Sequence, residues 1–313
     1  MKQILLMIAV VVLVGCGTSK VDSPQPTDNE VDPNAPANIS DPIVEKAIRG
    51  SLEKPEGKLT LADLEKVTSL RLHFRQITDV GLKEVAKLQN LESLYLNWTK
   101  ITDTSLKEVA KMQNLTMLGL GETQITDTGL KEVAKMQKLE RLSLGKTQIT
   151  DAGLRELAKL QKLRELYLMD TKITDAGLKE LVKLQQLGRL RLHGTKITDV
   201  GLKEVAKLQK LEKLNLERTQ ITNAGLKDVA KLQNLKGLYL VRTQISDVGL
   251  KDVAKLQKLE QLVLDNTRIT DAGLKELAKL QKLEHLWLGG TKITKAGVAE
   301  FKKALPNCRI YGP

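Results

Sequence analysis

The sequence predicts an α/β solenoid, a right-handed coil of strand and short-helix units whose strands share one parallel sheet. Three observations lead there. An Ile-Thr pair begins at Ile77 and returns at Ile101, Ile125 and every 24 residues to Ile293, with Ser in place of Thr after Ile245. A fixed period of that length marks a stacked-repeat architecture rather than two globular domains. Within a unit, a segment such as LESLYLN alternates, so Leu94 and Leu96 point one way while Ser93, Tyr95 and Asn97 point the other. The rest of the unit spaces Leu106, Val109, Ala110 and Met112 along one side of a short helix. Helices about 10 Å across, stacked behind strands about 4.8 Å apart, bend the coil with its sheet inward. The expectation is a horseshoe with a concave sheet of about ten strands and helices on the convex side.

Two segments precede the repeats. Lys2 is followed by eleven apolar residues from Ile4 to Val14, a signal-peptide core, because a membrane-spanning helix needs roughly 20. Leu13-Val14-Gly15-Cys16 resembles a bacterial lipobox. That resemblance implies removal of residues 1–15, lipidation of Cys16 and, with Gly17 rather than Asp behind it, a lipid-anchored place in the cell envelope at the outer membrane. Several acyl chains on one residue hold where a single chain binds marginally. Residues 16–40 carry four prolines and few large apolar residues; they read as a disordered tether with too little apolar surface to offset its ordering entropy.

Order is expected from Asp41, a helix cap followed by Pro42 at the first helical position. Val44, Ala47, Ile48 and Leu52 mark one apolar face of an N-terminal cap over residues 41–66, which shields the first repeat. Repeats follow over 67–292, the first degenerate, and 293–313 read as a C-terminal cap repeat. In the full units, L-x-x-L-x-L followed three residues on by Thr and two further by Ile resembles the leucine-rich-repeat pattern, and ITDxGL resembles its cysteine-containing, F-box-type subclass. The chain departs at the ninth position, where the family has Asn or Cys and this sequence has Thr99, Thr123 and their successors to Thr291. Those hydroxyls are expected to satisfy loop backbone groups from repeat to repeat.

Function is expected in the columns that vary, the third, fifth, seventh and eighth places of each L-x-x-L-x-L-x-x unit. Seven of the eight aromatic residues fall there, with all three histidines and seven of the twelve arginines, against two of the 38 lysines. Tyr, Trp and Arg dominate binding hot spots, while Lys is depleted from interface cores. The candidate ligand-binding residues are Tyr95, Trp98, Tyr167, Arg189, Arg191, His193, Lys213, Arg218, Tyr239, Arg242 and Trp287. The cations between Arg189 and Arg242 suit carboxylate, phosphate or sulfate groups, on a protein or on an anionic glycan or polymer. Asp170 and Lys146, one repeat apart in the eighth column, are expected to pair.

The net charge of +12 raises nucleic acid as a partner, but the export signal and the placement of lysines on the helices argue against it. Cys308 alone remains once Cys16 is lipidated, so no internal disulfide is expected; Cys308 reads as a small buried residue of the terminal cap. His73 and His193 stand five strands apart, about 24 Å, so neither a metal site, a cofactor site nor a nucleophile-base pair is expected, and no enzyme. The reading is a monomeric, lipid-anchored envelope protein that binds a protein or anionic polymer on its concave face. One alternative is an envelope spacer without a specific ligand. Another, a ubiquitin-ligase substrate-recognition subunit, is disfavoured by the lipobox and the lack of an F-box-like segment.

Overall fold

A computed structural model describes residues 32–312. The signal segment, Cys16 and the first part of the tether lie outside the described residues. The architecture is a leucine-rich-repeat horseshoe. Eleven three-residue strands, from Ser69–Arg71 to Arg309–Tyr311, pair in parallel and in chain order, one more than about ten because the C-terminal cap adds its own. The 24-residue period fixes the register: each strand leucine faces its equivalent, as Leu190 faces Leu214 and Leu166. Leu190 and Leu192 are fully buried in a single continuous core, whereas Arg189 and Arg191, to either side of Leu190, are exposed.

The N-terminal cap forms as its sequence dictates. Asp41 Oδ1 accepts from the backbone of Ile43 and Val44 at 2.8 and 3.1 Å, Pro42 opens the helix Pro42–Leu52, and Val44 and Ile48 are buried. Ordered contacts begin before Asp41, earlier than the composition implies. Residues 33–40, read as disordered, lie along the cap: Leu61 donates to Ala35 O, Ala37 to Leu59 O and Ala62 to Pro33 O. Ala37 and Ile39 pack against the core, and Lys87 donates to Asn38 O at 2.6 Å. Backbone pairing with residues 59–62 supplies the ordering that a proline-rich segment lacks on its own.

Two columns of side chains hold the loops. Each ninth-position Thr is nearly buried and donates its hydroxyl to the leucine carbonyl three residues earlier, at 2.5 to 2.7 Å. The column is structural, but its bonds stay within each repeat, because the carbonyl of its own turn lies nearer than anything in the next unit. Repeats are joined instead at the helix starts. Asp175 Oδ1 accepts from Thr198 N at 2.9 Å and its Oδ2 from Thr198 Oγ1 at 2.6 Å, while Thr198 caps the helix Asp199–Val205. The same pair recurs from Asp79 with Thr102 to Asp271 with Thr294. Where Asn223 replaces Asp, its partner is Ser246, and the hydroxyl accepts from the amide instead.

The Gly two residues after that Asp leaves room for the preceding repeat. A Cβ on Gly201 would lie 2.3 Å from Asp175 Oδ1 and 2.7 Å from Leu178 Cδ1. One unit carries Ser105 at this place, and there the helix begins as a 3-10 turn, Asp103–Ser105, before Leu106–Val109. No helix among the described residues is long and apolar enough to cross a membrane.

Candidate binding surface on the concave face

The centre of the concave sheet is organised by one carboxylate. Glu165 is only 8% exposed, and it sits in the third column between Arg141 and Arg189, on the two adjoining strands. Its Oε1 lies 3.3 Å from each guanidinium, and its Oε2 accepts from the Tyr167 hydroxyl at 2.5 Å. A carboxylate this buried is tolerable because both oxygens are occupied. Arg191 completes the group by stacking on the Tyr167 ring, 4.7 Å from its centroid. Burial, reinforced by the Glu165 carboxylate, pushes the Tyr167 phenol above its ordinary pKa.

Beside this cluster, Arg189, Arg191, Lys213, Asn215, Glu217 and Tyr239 line a 230 Å³ groove floored by Leu190. Glu217 is turned toward Asn215, whose amide donates to it at 3.0 Å. The Tyr239 hydroxyl donates to Gln261 at 2.9 Å, and burial raises the pKa of this phenol too. Arg189 is engaged by Glu165; Arg191 and Lys213 have no carboxylate partner among the described residues. Here planar, half-exposed cations stand next to tyrosine faces, an arrangement that can hold a planar or tetrahedral anion.

The eleven predicted residues thus fall into separate groups. Tyr167, Arg189, Arg191, Lys213 and Tyr239 converge on the central groove. His193 is half-buried and lines the neighbouring groove that runs toward the N-terminal end; its Nδ1 has no hydrogen-bond partner among the described residues, and desolvation lowers its pKa against the opposing pull of Glu217 and Asp170. Arg218 and Arg242 stand on the rim, in the turn after the strand. Tyr95 and Trp98 belong to the N-terminal end, where Arg71 lies 5.9 Å over the Tyr95 ring and Trp98 stacks on Phe74. Trp287 belongs to the C-terminal end, in a mutual cluster with His285 and Tyr311, whose centroids lie 5.6 and 4.7 Å from its own and 6.0 Å from each other.

The expected Asp170–Lys146 pair does not form. Lys146 pairs backward with Glu122 at 2.5 Å, and Asp170 pairs forward with Arg218, two repeats away, at 3.1 Å. Glu165, which ties Arg141, Arg189 and Tyr167 together, was absent from the candidate set. Its signal was in the sequence, as a lone acid in the third column with Arg141 and Arg189 at one period on either side. Cys308 is buried, and burial raises the pKa of its thiol, in keeping with a packing role in the cap.

Five of the repeats, at residues 87–110, 135–158, 159–182, 207–230 and 255–278, match the family model described as a leucine-rich repeat. No curated protein matches the sequence. Among solved structures, an internalin C2 from Listeria monocytogenes is 28% identical with a TM-score of 0.57, over 74% of this chain and 97% of that one. An internalin (inlF) from the same organism is 22% identical with a TM-score of 0.51, over 89% and 97% of the two chains. A TDR receptor is 15% identical with a TM-score of 0.55, over 80% of this chain and 44% of its own. The units of this chain are leucine-rich repeats, and its likeness to these structures is one of fold.

Proposed function

We propose that the chain is a lipid-anchored protein of the bacterial envelope, at the outer membrane, whose concave face binds a partner protein through an anionic group. A leucine-rich-repeat horseshoe offers a long concave surface suited to protein binding, and this one concentrates its arginines and aromatic rings there. The observation that carries the reading is the central groove. Arg191 lies over the Tyr167 ring and Lys213 stands one strand away with no carboxylate partner among the described residues, while Glu165 pairs with Arg141 and Arg189. Arg191, supported on the Tyr167 ring, loses less entropy on taking up a carboxylate or phosphate than an unsupported side chain would, and Lys213 adds a second cation beside it. A polymer carrying such groups would use the same donors. No catalytic role is proposed.

The test is capture from an envelope extract by the wild type and by an Arg191→Ala, Lys213→Ala variant. The variant should bind its partner more weakly by about 1–2 kcal/mol, as hot-spot truncations do. Undiminished capture would remove the groove from the binding surface; absence of any retained partner would favour a spacer role. The anchor rests on the lipobox resemblance alone. Cys16→Ser should move the protein from the detergent phase to the soluble fraction, and a variant that stays with the membrane would refute lipidation at Cys16.

A further inference from the structure

We propose that the N-terminal end of the concave face is a saccharide-binding site, built from an aromatic ledge and a fixed amide beside it. Phe74 and Trp98 stack with centroids 5.4 Å apart and planes 26° from parallel, yet they remain 68% and 49% exposed. The core does not use them, since Leu72 and Leu96 already fill it. Both rings also sit on backbone of positive φ, 58° and 62°, an unfavourable conformation for bulky residues.

Asn97 is held against the ledge by its own surroundings. Its Oδ1 accepts from Gly121 N at 2.8 Å, and a Cβ on Gly119 would come within 2.5 Å of its Nδ2. The glycines make room for the amide, the backbone bond sets its rotation, and Nδ2 is left as a donor along the groove. That groove, 390 Å³, continues past Glu122, Ser143 and Lys146 to His193. From His73 to His193 it crosses five strand spacings, about 24 Å, so it admits several linked units.

Charge decides what kind of ligand fits. Lys146 lies 5.2 Å over the Trp98 ring and pairs with Glu122 at 2.5 Å, so the two charges beside the ledge neutralise each other and a charged side chain gains little here. What remains is a pair of flat rings flanked by a donor in Asn97, an acceptor in Glu122 and a hydroxyl in Ser143 that does both. A pyranose ring matches that set: the C–H groups of one face pack on the exposed surface that the stacked pair leaves open, and its hydroxyls both donate and accept. None of the central cations takes part, so this site and the central groove stand or fall separately.

The full-length protein is to be screened on an array of neutral and anionic oligosaccharides, with peptides of matched length as comparison. The best oligosaccharide is then titrated into Trp287→Phe protein, in which Trp98 is the remaining tryptophan. A neutral oligosaccharide should bind and shift the Trp98 emission. Trp98→Ala and Asn97→Ala should each weaken that binding at least tenfold, with a cooperative melting transition still well above the assay temperature and unchanged capture through Arg191 and Lys213. The proposal is overturned if folded wild-type protein retains no oligosaccharide, if it retains peptides only, or if both variants bind sugar as the wild type does.

Discussion

The Arg218 guanidinium donates to the Asp170 carboxylate at 3.1 Å across 48 residues of sequence, passing over an entire repeat. The repeat it crosses carries Gly194 in the same column, and a Cβ there would lie 2.0 Å from Asp170 Oδ1. Gly194 also has a φ of +70°. The bridge therefore depends on the absence of a side chain between its ends. Gly194→Ala should cost about 1–3 kcal/mol in a denaturant titration, from crowding and backbone strain together. Arg218→Ala, which removes a half-exposed ion pair, should cost no more than about 1 kcal/mol. An equal or larger loss for Arg218→Ala would mean that the bridge, not the space beneath it, is what matters.

Gly194 belongs to a column in which the backbone is left-handed throughout. Phe74, Trp98, Glu122, Lys146, Asp170, Arg218, Arg242 and Asn266 have φ between 51° and 62°, and Gly290 shares the conformation at 69°. Large side chains rarely take this conformation, and here they sit on the rim of the candidate surface, so strain is held where contact is expected. Arg242 tests this without interference from a partner. Arg242→Gly should be more stable than Arg242→Ala by about 1 kcal/mol, because only the alanine keeps a Cβ at positive φ. A difference of the opposite sign in thermal or chemical unfolding would argue against a strained rim.

How much of this was legible depended on whether a feature repeats. Leu190 and Leu192 could be placed inward from period-two alternation alone, and Asp41-Pro42 announced its helix by local chemistry. The partner of Asp170 could not be read, because it is chosen by the missing side chain of a residue between the two. The left-handed column was hidden for a related reason: only Gly194 and Gly290 show the residue such a turn prefers, while Trp98 and Arg218 disguise it. Residues 33–40 looked like tether because composition records what a segment lacks, not the backbone of residues 59–62 that pairs with it. One long-range pair was visible in retrospect. Asn223 and Ser246 both depart from the repeat pattern, and they are bonded to each other.

The Gly at each helix start should be replaceable only at a cost. Gly201→Ala places a methyl group against Asp175 Oδ1 and Leu178 Cδ1, and Asp175 cannot retreat without releasing Thr198. A loss of about 1–3 kcal/mol is expected, the range for overpacking a filled site. Ser105 is the reverse experiment already present in the chain. Ser105→Gly should let its unit form the seven-residue helix of its neighbours and should leave stability equal or higher, as read by denaturant titration and by amide exchange at Leu106.

His193 should make stability depend on pH on the acid side of neutrality. Desolvation lowers its folded pKa from 6.5; Arg218 and Arg191 act in the same direction, while Glu217 and Asp170 oppose them. The unfolded chain then binds a proton at a pH where the folded chain does not. The associated stability is fully present above the unfolded pKa and is lost as pH falls through about 6.5 toward the lower folded value. An NMR titration of the His193 ring should give a midpoint below 6.5, and Arg218→Ala should move that midpoint upward by removing one of the two cations. His193→Gln should flatten the acid limb of the stability curve relative to wild type. A His193 midpoint above 6.5 would mean that Glu217 and Asp170 outweigh burial, and the loss would then appear as pH rises from about 6.5 through that midpoint instead.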